Sequence, residues 1–419
     1  MGFASAWLSG RAIFPEFIGG EPDSHTGIII VIPSCGEKDI DRVLDSLAEC
    51  EQPECITEVI VVVNAAEDAA EDLHRTNDLT LENIEAWKRK NNSFFRLYSL
   101  KPQTKYIRGW GVGLARKTGM DEAVRRFDII GKPDGIVLCL DADCTVRKDY
   151  LKKVHDDFLI VKHKQACSIY FEHPLEGTEF SSQVYSSIAQ YELHLRYYLQ
   201  ALIFTGFPDA FHTVGSATAV RALAYVKAGG MNRKQAGEDF YFIQKLIPAG
   251  GYFALNSTTV YPSPRPSSRV PFGTGASITK LTGQSGGELL TYNAGAFVEL
   301  LTLFGLTGEL WTATSVTLCS IYNSLPQGIR SFMTEAEFSN EIIQIQNNTS
   351  GYKAFRKRFF TWFNMFRIVK FLNHSHLEIH TRKPVSVSSS ELLKMKGLQI
   401  IPTGITNLLG FYRSMERGV

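Results

Sequence analysis

The sequence predicts an α/β protein: a mostly parallel sheet with helices on both faces, followed by a mainly helical C-terminal extension. Three observations carry this. Short apolar runs alternate with helix-like stretches from residue 27 onward, the order that builds a parallel sheet covered on both sides. Residues 136–140 are five consecutive apolar residues, as expected of a strand buried on both faces. Beyond Gly275 the strand pattern fades and helical periodicity dominates.

Taken in order, residues 1–26 are a lead-in containing Gly and Pro. Residues 27–32 read as a first strand stopped by Pro33, and 39–50 as a helix. Residues 58–63 read as a second strand that ends at Asn64 and an acidic loop. A charged helix over 79–91, a strand over 94–100, a helix over 114–127 and the strand 136–140 follow. Residues 240–247 read as a helix ending at Ala249-Gly250-Gly251. Three regions result: an extension over 1–26, an α/β domain over 27–280, and a helical region over 281–419.

Composition narrows the function. A chain of 419 residues exceeds one minimal core, and 44% apolar with 21% charged residues is ordinary for a soluble protein. A net charge of +1 supplies no basic footprint for nucleic acid. Seven cysteines occur without a C-x-x-C pair, and Cys35, Cys139 and Cys167 lie in or beside apolar strands. Reduced thiols in a cytoplasmic protein are the expectation. No basic segment followed by an apolar run marks a secretory signal. The apolar stretch 297–321 is interrupted by Glu299 and Glu309 and reads as core helices.

The chemistry is expected at strand ends. Asp141 and Asp143 follow the strand 136–140, and in extended chain residues i and i+2 share a side. Two carboxylates held that close repel unless a cation or proton lies between them. A hard divalent ion carrying a diphosphate is the economical partner. Pro33, Cys35 and Glu37 at one strand end and Asn64 at the next face the same edge, outlining a crevice for a base, a ribose and a diphosphate. Asn64 or Asp68 is placed to hydrogen-bond the base or ribose. The glycine-rich segment 106–113 precedes a helix, so its backbone near Gly113 can approach an anion, with Arg116 and Lys117 in the first turn. Glu238 and Asp239 begin a later helix. Acids there gain about 0.3–1 kcal/mol from the helix dipole, and Asp239 is also suited to take a proton from an acceptor hydroxyl. The small residues of 213–221, Gly215 and Ser216 among them, let an acceptor approach the backbone or serve tight packing.

Ile30-Val31-Ile32-Pro33 with Glu37, Leu114-Ala115-Arg116-Lys117-Thr118-Gly119, Asp141-Ala142-Asp143, Gly229-Gly230-Met231 and Gly237-Glu238-Asp239 occur in that order. With them the chain resembles the family 2 glycosyltransferases, which have the GT-A fold, over roughly residues 27–250. The resemblance implies transfer of a sugar from a UDP-, GDP- or dTDP-linked donor to a hydroxyl acceptor, with inversion. It implies that Asp143 binds Mg²⁺ or Mn²⁺, that Asp141 touches ribose or metal, and that Pro33, Glu37 and Asn64 line the nucleotide. Arg116 falls on the diphosphate side, Asp239 is the general base, and Glu238 orders the acceptor. Asn64 stands where many relatives have an acid, and 260–265 lacks a histidine that several relatives use as a further metal ligand. Arg265 and Arg269 lie in a Pro/Ser loop placed to clasp phosphate or to act as a linker.

Two features lie outside this scheme. His374, His376, Glu378 and His380 alternate, which in a strand puts all four on one face as a conceivable metal site or as plain surface histidines. Residues 352–372 carry six Lys/Arg and no acid, interleaved with aromatics at helical spacing. This stripe reads as core, or as a basic helix on an anionic membrane, the inner face of which holds lipid-linked acceptors. The rival reading of the whole chain is a non-catalytic nucleotide-sugar-binding or scaffold protein. A nucleotidyltransferase is disfavoured because Ser34-Cys35-Gly36-Glu37 is no basic phosphate loop and Glu37 repels a triphosphate.

Overall fold

The computed structural model describes residues 2–103, 111–161, 163–233, 237–267, 273–283 and 287–418. Residues 106–110 of the glycine-rich segment and Arg269 lie outside them. The chain divides into two compact units, Met1–Phe180 with Thr213–Ser277, and Ser181–His212 with Ile278–Val419.

Among the described residues the first unit holds one sheet of eight strands. These are β1 (Thr26–Ser34), β2 (Ile56–Val63), β3 (Arg96–Leu100), β4 (Ile136–Cys139), β5 (Thr145–Val146), β6 (Ala166–Phe171), β7 (Thr218–Arg221) and β8 (Tyr252–Tyr261). Their spatial order is β3-β2-β1-β4-β7-β6-β8-β5. The first four are mutually parallel, β7 runs antiparallel between β4 and β6, and β8 is parallel to β6. The α/β sheet, mostly parallel, is as the sequence predicts. Every residue of β4 and nearly every residue of β1 and β2 is buried, which is why these strands read as unbroken apolar runs.

Helices α1 (Ser5–Arg11), α2 (Ile40–Ala48), α3 (Glu71–Lys90), α4 (Val112–Ile129) and α5 (Tyr150–Ile160) precede α6 (Ser182–Phe204); α7 (Ala222–Lys227) and α8 (Glu238–Ala249) follow it. Helix α4 is buried along almost its whole length. Its Ala115, Met120, Ala123, Val124 and Phe127 share a core with Ile29, Val31, Ile60, Val62 and Val137 of the sheet. Gly119 makes this closeness possible, since a Cβ there would collide with Val31 and Val62. Leu8 of α1, Tyr225 of α7 and Phe242 and Leu246 of α8 join the same core. The lead-in therefore packs as part of the first unit, with the Ala4 amide donating to Asp128 Oδ1 at 2.6 Å.

Several boundaries differ from expectation. Strand β1 passes through Pro33 to Ser34. Val31 accepts from Leu140 and Ser34 accepts from Asn64 on the opposite side, so Pro33 faces where β4 has already ended. A missing N–H there costs no ladder bond. Helix α3 begins at Glu71, eight residues before the expected start, because its first two turns are polar and half-exposed. The stretch 141–144 is a turn closed by the Cys144 amide on the Asp141 carbonyl at 3.1 Å, so the extended-chain argument for Asp141 and Asp143 does not hold.

The second unit is helical: α6 is joined by α9 (Thr274–Thr282, which straddles the boundary), α10 (Ala294–Gly305), α11 (Thr307–Thr312), α12 (Ser315–Ser324), α13 (Gln327–Phe332), α14 (Glu335–Asn347), α15 (Tyr352–Trp362), α16 (Met365–Glu378), α17 (Val385–Met395) and α18 (Ile405–Arg417). Strands β9 (Leu290–Thr291) and β10 (Lys383–Pro384) pair antiparallel. Residues 352–372 are two helices, because the Asn364 side chain caps α16 by accepting from Phe366 and Arg367 at 3.0 and 3.2 Å. Phe355, Phe359 and Phe363 are buried, so the aromatic stripe is core. The alternating histidines lie on α16 and just beyond it with different hydrogen-bond partners, His374 with Ser331, His376 with the Asn293 amide and His380 with Glu299, while the His376 and His380 rings lie 5.9 Å apart. They share no strand face. Ala294–Thr312 has the length and apolarity to cross a membrane at a mean hydropathy of 1.2, yet it breaks at Leu306 and is 44% buried.

In the first unit, Glu58 of β2 and Arg126 of α4 form a buried two-bond ion pair, Nε–Oε2 2.5 Å and Nη2–Oε1 2.8 Å. Breaking such a pair strands a charge, whereas replacing both partners by apolar residues is close to neutral. Glu58→Leu is expected to cost about 3–5 kcal/mol in urea unfolding, and adding Arg126→Met is expected to restore most of it.

Candidate active site

The sheet changes direction of growth at β1. The chain adds β2 and β3 on one side and then returns to place β4 on the other. A crevice opens at the carboxyl ends of the strands at such a reversal, where open α/β sheets bind ligands. Glu37 follows β1, Asn64 follows β2, and the turn bearing Asp141 and Asp143 follows β4. Parallel register, with Ser34 beside Val63 and Val31 beside Cys139, puts these ends on one edge.

Two arginines organise the acids. Arg116, in the second turn of α4, donates through Nη2 to Asp141 Oδ1 at 2.6 Å and through Nη1 to Glu238 Oε1. Its side chain is only 5% exposed, and that of Glu238 2%. Burial opposes the guanidinium charge, but Asp141, Glu238 and Asp239 outweigh it and hold the group well above its ordinary range. Arg265, beyond β8, donates through Nη2 to both oxygens of Glu37 at 2.9 and 3.0 Å and to Asp143 Oδ2 at 3.2 Å. Asp141 and Asp143 keep side-chain exposures of 35% and 34%, so both still face solvent.

Glu238 and Asp239 open α8 behind Gly237, whose left-handed φ of 71° suits glycine. Asp239 Oδ1 accepts from the Phe240 amide at 2.7 Å, and Oδ2 from the Gly215 amide at 3.0 Å. Burial pushes the titration of both carboxyls up; Arg116 pulls each back, while Asp239 adds to the rise of Glu238. Gly215 and Ser216 sit in the turn before β7, and the Ser216 side chain hydrogen-bonds Cys144.

The other expected residues are placed as follows. Pro33 is buried near the end of β1, Cys35 is half-buried after it, and Gly113 is buried in the first turn of α4. Asn64 is buried, its Nδ2 donating to the Gly111 carbonyl at 3.5 Å, while Asp68 is exposed. The structure thus brings Arg116, Asp141, Glu238, Asp239 and Gly215 together, and Glu37, Asp143 and Arg265 together. Glu238 meets Arg116 in the interior. Asn77 was missed: from α3 it accepts the Gly36 amide at 2.8 Å and donates to the Asn64 carbonyl at 3.0 Å, tying two strand ends together. A polar residue on the buried stripe of α3, with Thr80, Ile84 and Trp87, was the available signal.

Among the described residues no group of three or more His, Cys, Asp or Glu side chains is arranged to hold a metal ion. None of the seven cysteines forms a disulfide.

No family model matches the chain, and no curated protein matches it. Solved structures similar to it include S. aureus TarS in complex with UDP-GlcNAc, at 14% identity and a TM-score of 0.40 over 78% of this chain and 89% of that one. The mannosyltransferase PcManGT from Pyrobaculum calidifontis with GDP-Man and Mn²⁺ is similar at 13% and 0.38, over 90% and 92%. Glucosyl-3-phosphoglycerate synthase from Mycobacterium tuberculosis with Mg²⁺ and UDP is similar at 15% and 0.39, over 69% and 86%. At such identities and TM-scores the likeness says nothing of substrate or reaction.

Burial pushes the Cys139 thiol, two residues before Asp141, up to about 12, and that of Cys144 well above its ordinary range. Thiolate is the reactive form. Iodoacetamide at pH 8, followed by peptide mass mapping, is expected to leave both unlabelled in the folded protein and to label them in urea.

Proposed function

We propose that the chain is a glycosyltransferase of the GT-A type that moves a sugar from a nucleoside diphosphate donor to a hydroxyl acceptor. The observation that carries the reading is the reversal between β1 and β4, lined by Glu37, Asp141 and Asp143 and spanned by Arg265. A nucleotide sits at such a crevice with its diphosphate near the strand ends. Arginine is suited to an anion of that kind.

In this reading Asp239 is the base. Two backbone amides fix its carboxylate, and a titration raised above the ordinary aspartate value suits proton abstraction near neutrality. Attack by the deprotonated hydroxyl opposite the departing diphosphate gives inversion. Asp239→Asn is expected to lower turnover by about 10²–10⁴-fold with the fold intact by circular dichroism. The base works only when ionised, so the rate is expected to fall on the acid side with a midpoint above the ordinary aspartate value of 3.8. Near-full turnover by the variant would remove Asp239 from the role.

A divalent cation fits the donor set. Mg²⁺ and Mn²⁺ sites of this class take one or two carboxylates, with water and phosphate completing the shell, and Asp143 and Asp141 are carboxylates with solvent access. They would hold the cation, which when bound stabilises charge on the departing diphosphate. Arg265 competes for Asp143, so Arg265→Ala is expected to tighten Mn²⁺ binding in an EPR titration of the nucleotide-free protein. Weaker or unchanged binding would exclude that competition. UDP-, GDP- and dTDP-sugars with Mn²⁺ are expected to separate in a thermal-shift panel, because a ligand stabilises by RT ln(1 + [L]/Kd). No shift with any of them would sink the nucleotide-sugar reading. Cytoplasmic residence and a lipid-linked acceptor reached at a membrane surface belong to the same proposal; the exposed Lys353, Lys357 and Arg358 of α15 are the support for the latter.

A further inference from the structure

We propose that Arg116 is a positioning residue: its guanidinium sets the separation between the turn that carries Asp141 and the first turn of α8 that carries Asp239, without touching the nucleotide. The inference rests on the glycosyl-transfer reading and moves Arg116 away from the diphosphate.

Three observations carry it. The two terminal nitrogens of Arg116 go to different elements, Nη2 to Asp141 beyond β4 and Nη1 to Glu238 at the start of α8. The side chain is 5% exposed, and its Nε is buried without a hydrogen-bond partner among the described residues, so little of the fork is presented to a ligand. Finally, Gly215 closes the space beside it. A Cβ at Gly215 would lie 2.5, 2.7 and 2.8 Å from Nη1, Cζ and Nη2 of Arg116. The amide of the same glycine donates to Asp239. The glycine is therefore required by the packing of the guanidinium, and one turn serves both Arg116 and the base. A planar cation joined to two carboxylates admits one geometry, which a lysine with a single nitrogen does not reproduce.

A buried ion pair that merely holds the fold would give the same contacts, so the test needs readouts that such a role leaves unmoved. Arg116→Lys, Gly215→Ala and the double variant are measured for kcat, KM and calorimetric affinity toward whichever of UDP, GDP or dTDP most raises the wild-type melting temperature. Lysine keeps the charge next to Glu238, which guards against misfolding. Each single variant is expected to lose about tenfold or more in kcat, since a small misplacement of reacting groups is costly. Nucleotide affinity is expected to stay within about twofold, and the double variant to be no worse than Arg116→Lys, as required if the glycine acts through the arginine. Lost nucleotide affinity with kcat retained, unchanged kcat, or losses that multiply in the double variant would each overturn the assignment.

Hydrogen exchange supplies an arm that needs no turnover. Arg116→Lys is expected to speed exchange in 141–144 and 238–242 together, and a response confined to one segment would overturn the tie. Wild-type protein inactive with every donor would refute the glycosyl-transfer reading, and exchange would then decide the positioning role alone.

Discussion

A guanidinium nearly sealed from water, with an acid at each end, is the constraint on which the site depends. Arg116 enters from α4, which is itself locked against β1 and β2 by the close approach at Gly119. One bond goes to the turn after β4 and the other to the start of α8. Three elements distant in sequence thereby share a single point. The cost of burying that charge is offset only while both carboxylates stay in place, because an unpaired buried charge is far more expensive than an unpaired exposed one. The arrangement therefore resists partial loosening.

A second, more exposed arginine lies at the strand ends. Arg265 is a third exposed and lies across Asp143, exposed to the same degree, and Glu37, whose side chain is only 9% exposed. The half-exposed contact with Asp143 contributes little to stability, whereas breaking the contact with Glu37 would strand a buried carboxylate. On the proposed function, Asp143 is the partner that Arg265 would release when an anion or a cation arrives. Arg116 is thus itself buried and Arg265 is not, while each keeps one buried and one solvent-facing partner.

The sequence revealed most where physics is local. Strands β1, β2 and β4 are buried on both faces and so leave uninterrupted apolar runs, and the acids after β4 were visible because they end such a run abruptly. Strands β5 and β7 span two and four residues and leave no periodicity to detect. The early turns of α3 were hidden by their polarity, and the break at Asn364 by an aromatic spacing that continues across it. In the site, residue types were legible and partners were not. Arg116 and Glu238 are 122 positions apart, and Arg265 and Glu37 are 228. Charge at such distances finds its counterpart through topology, so neither ion pair could be read from spacing in the sequence.

The order of the sheet has a consequence for how the chain is made. Strand β4 lies against β1, but its other neighbour, β7, is supplied only after the excursion of Ser181–His212 into the second unit. During synthesis the early βα segments therefore emerge with one flank of β4 bare, a hydrophobic edge that pairing with later residues must cover. Pairing between strands so far apart in sequence is slow, because loop-closure entropy is lost before the contacts repay it. Between the emergence of β4 and that of β7 the nascent chain thus carries an uncovered strand edge, the kind of surface that chaperones shield.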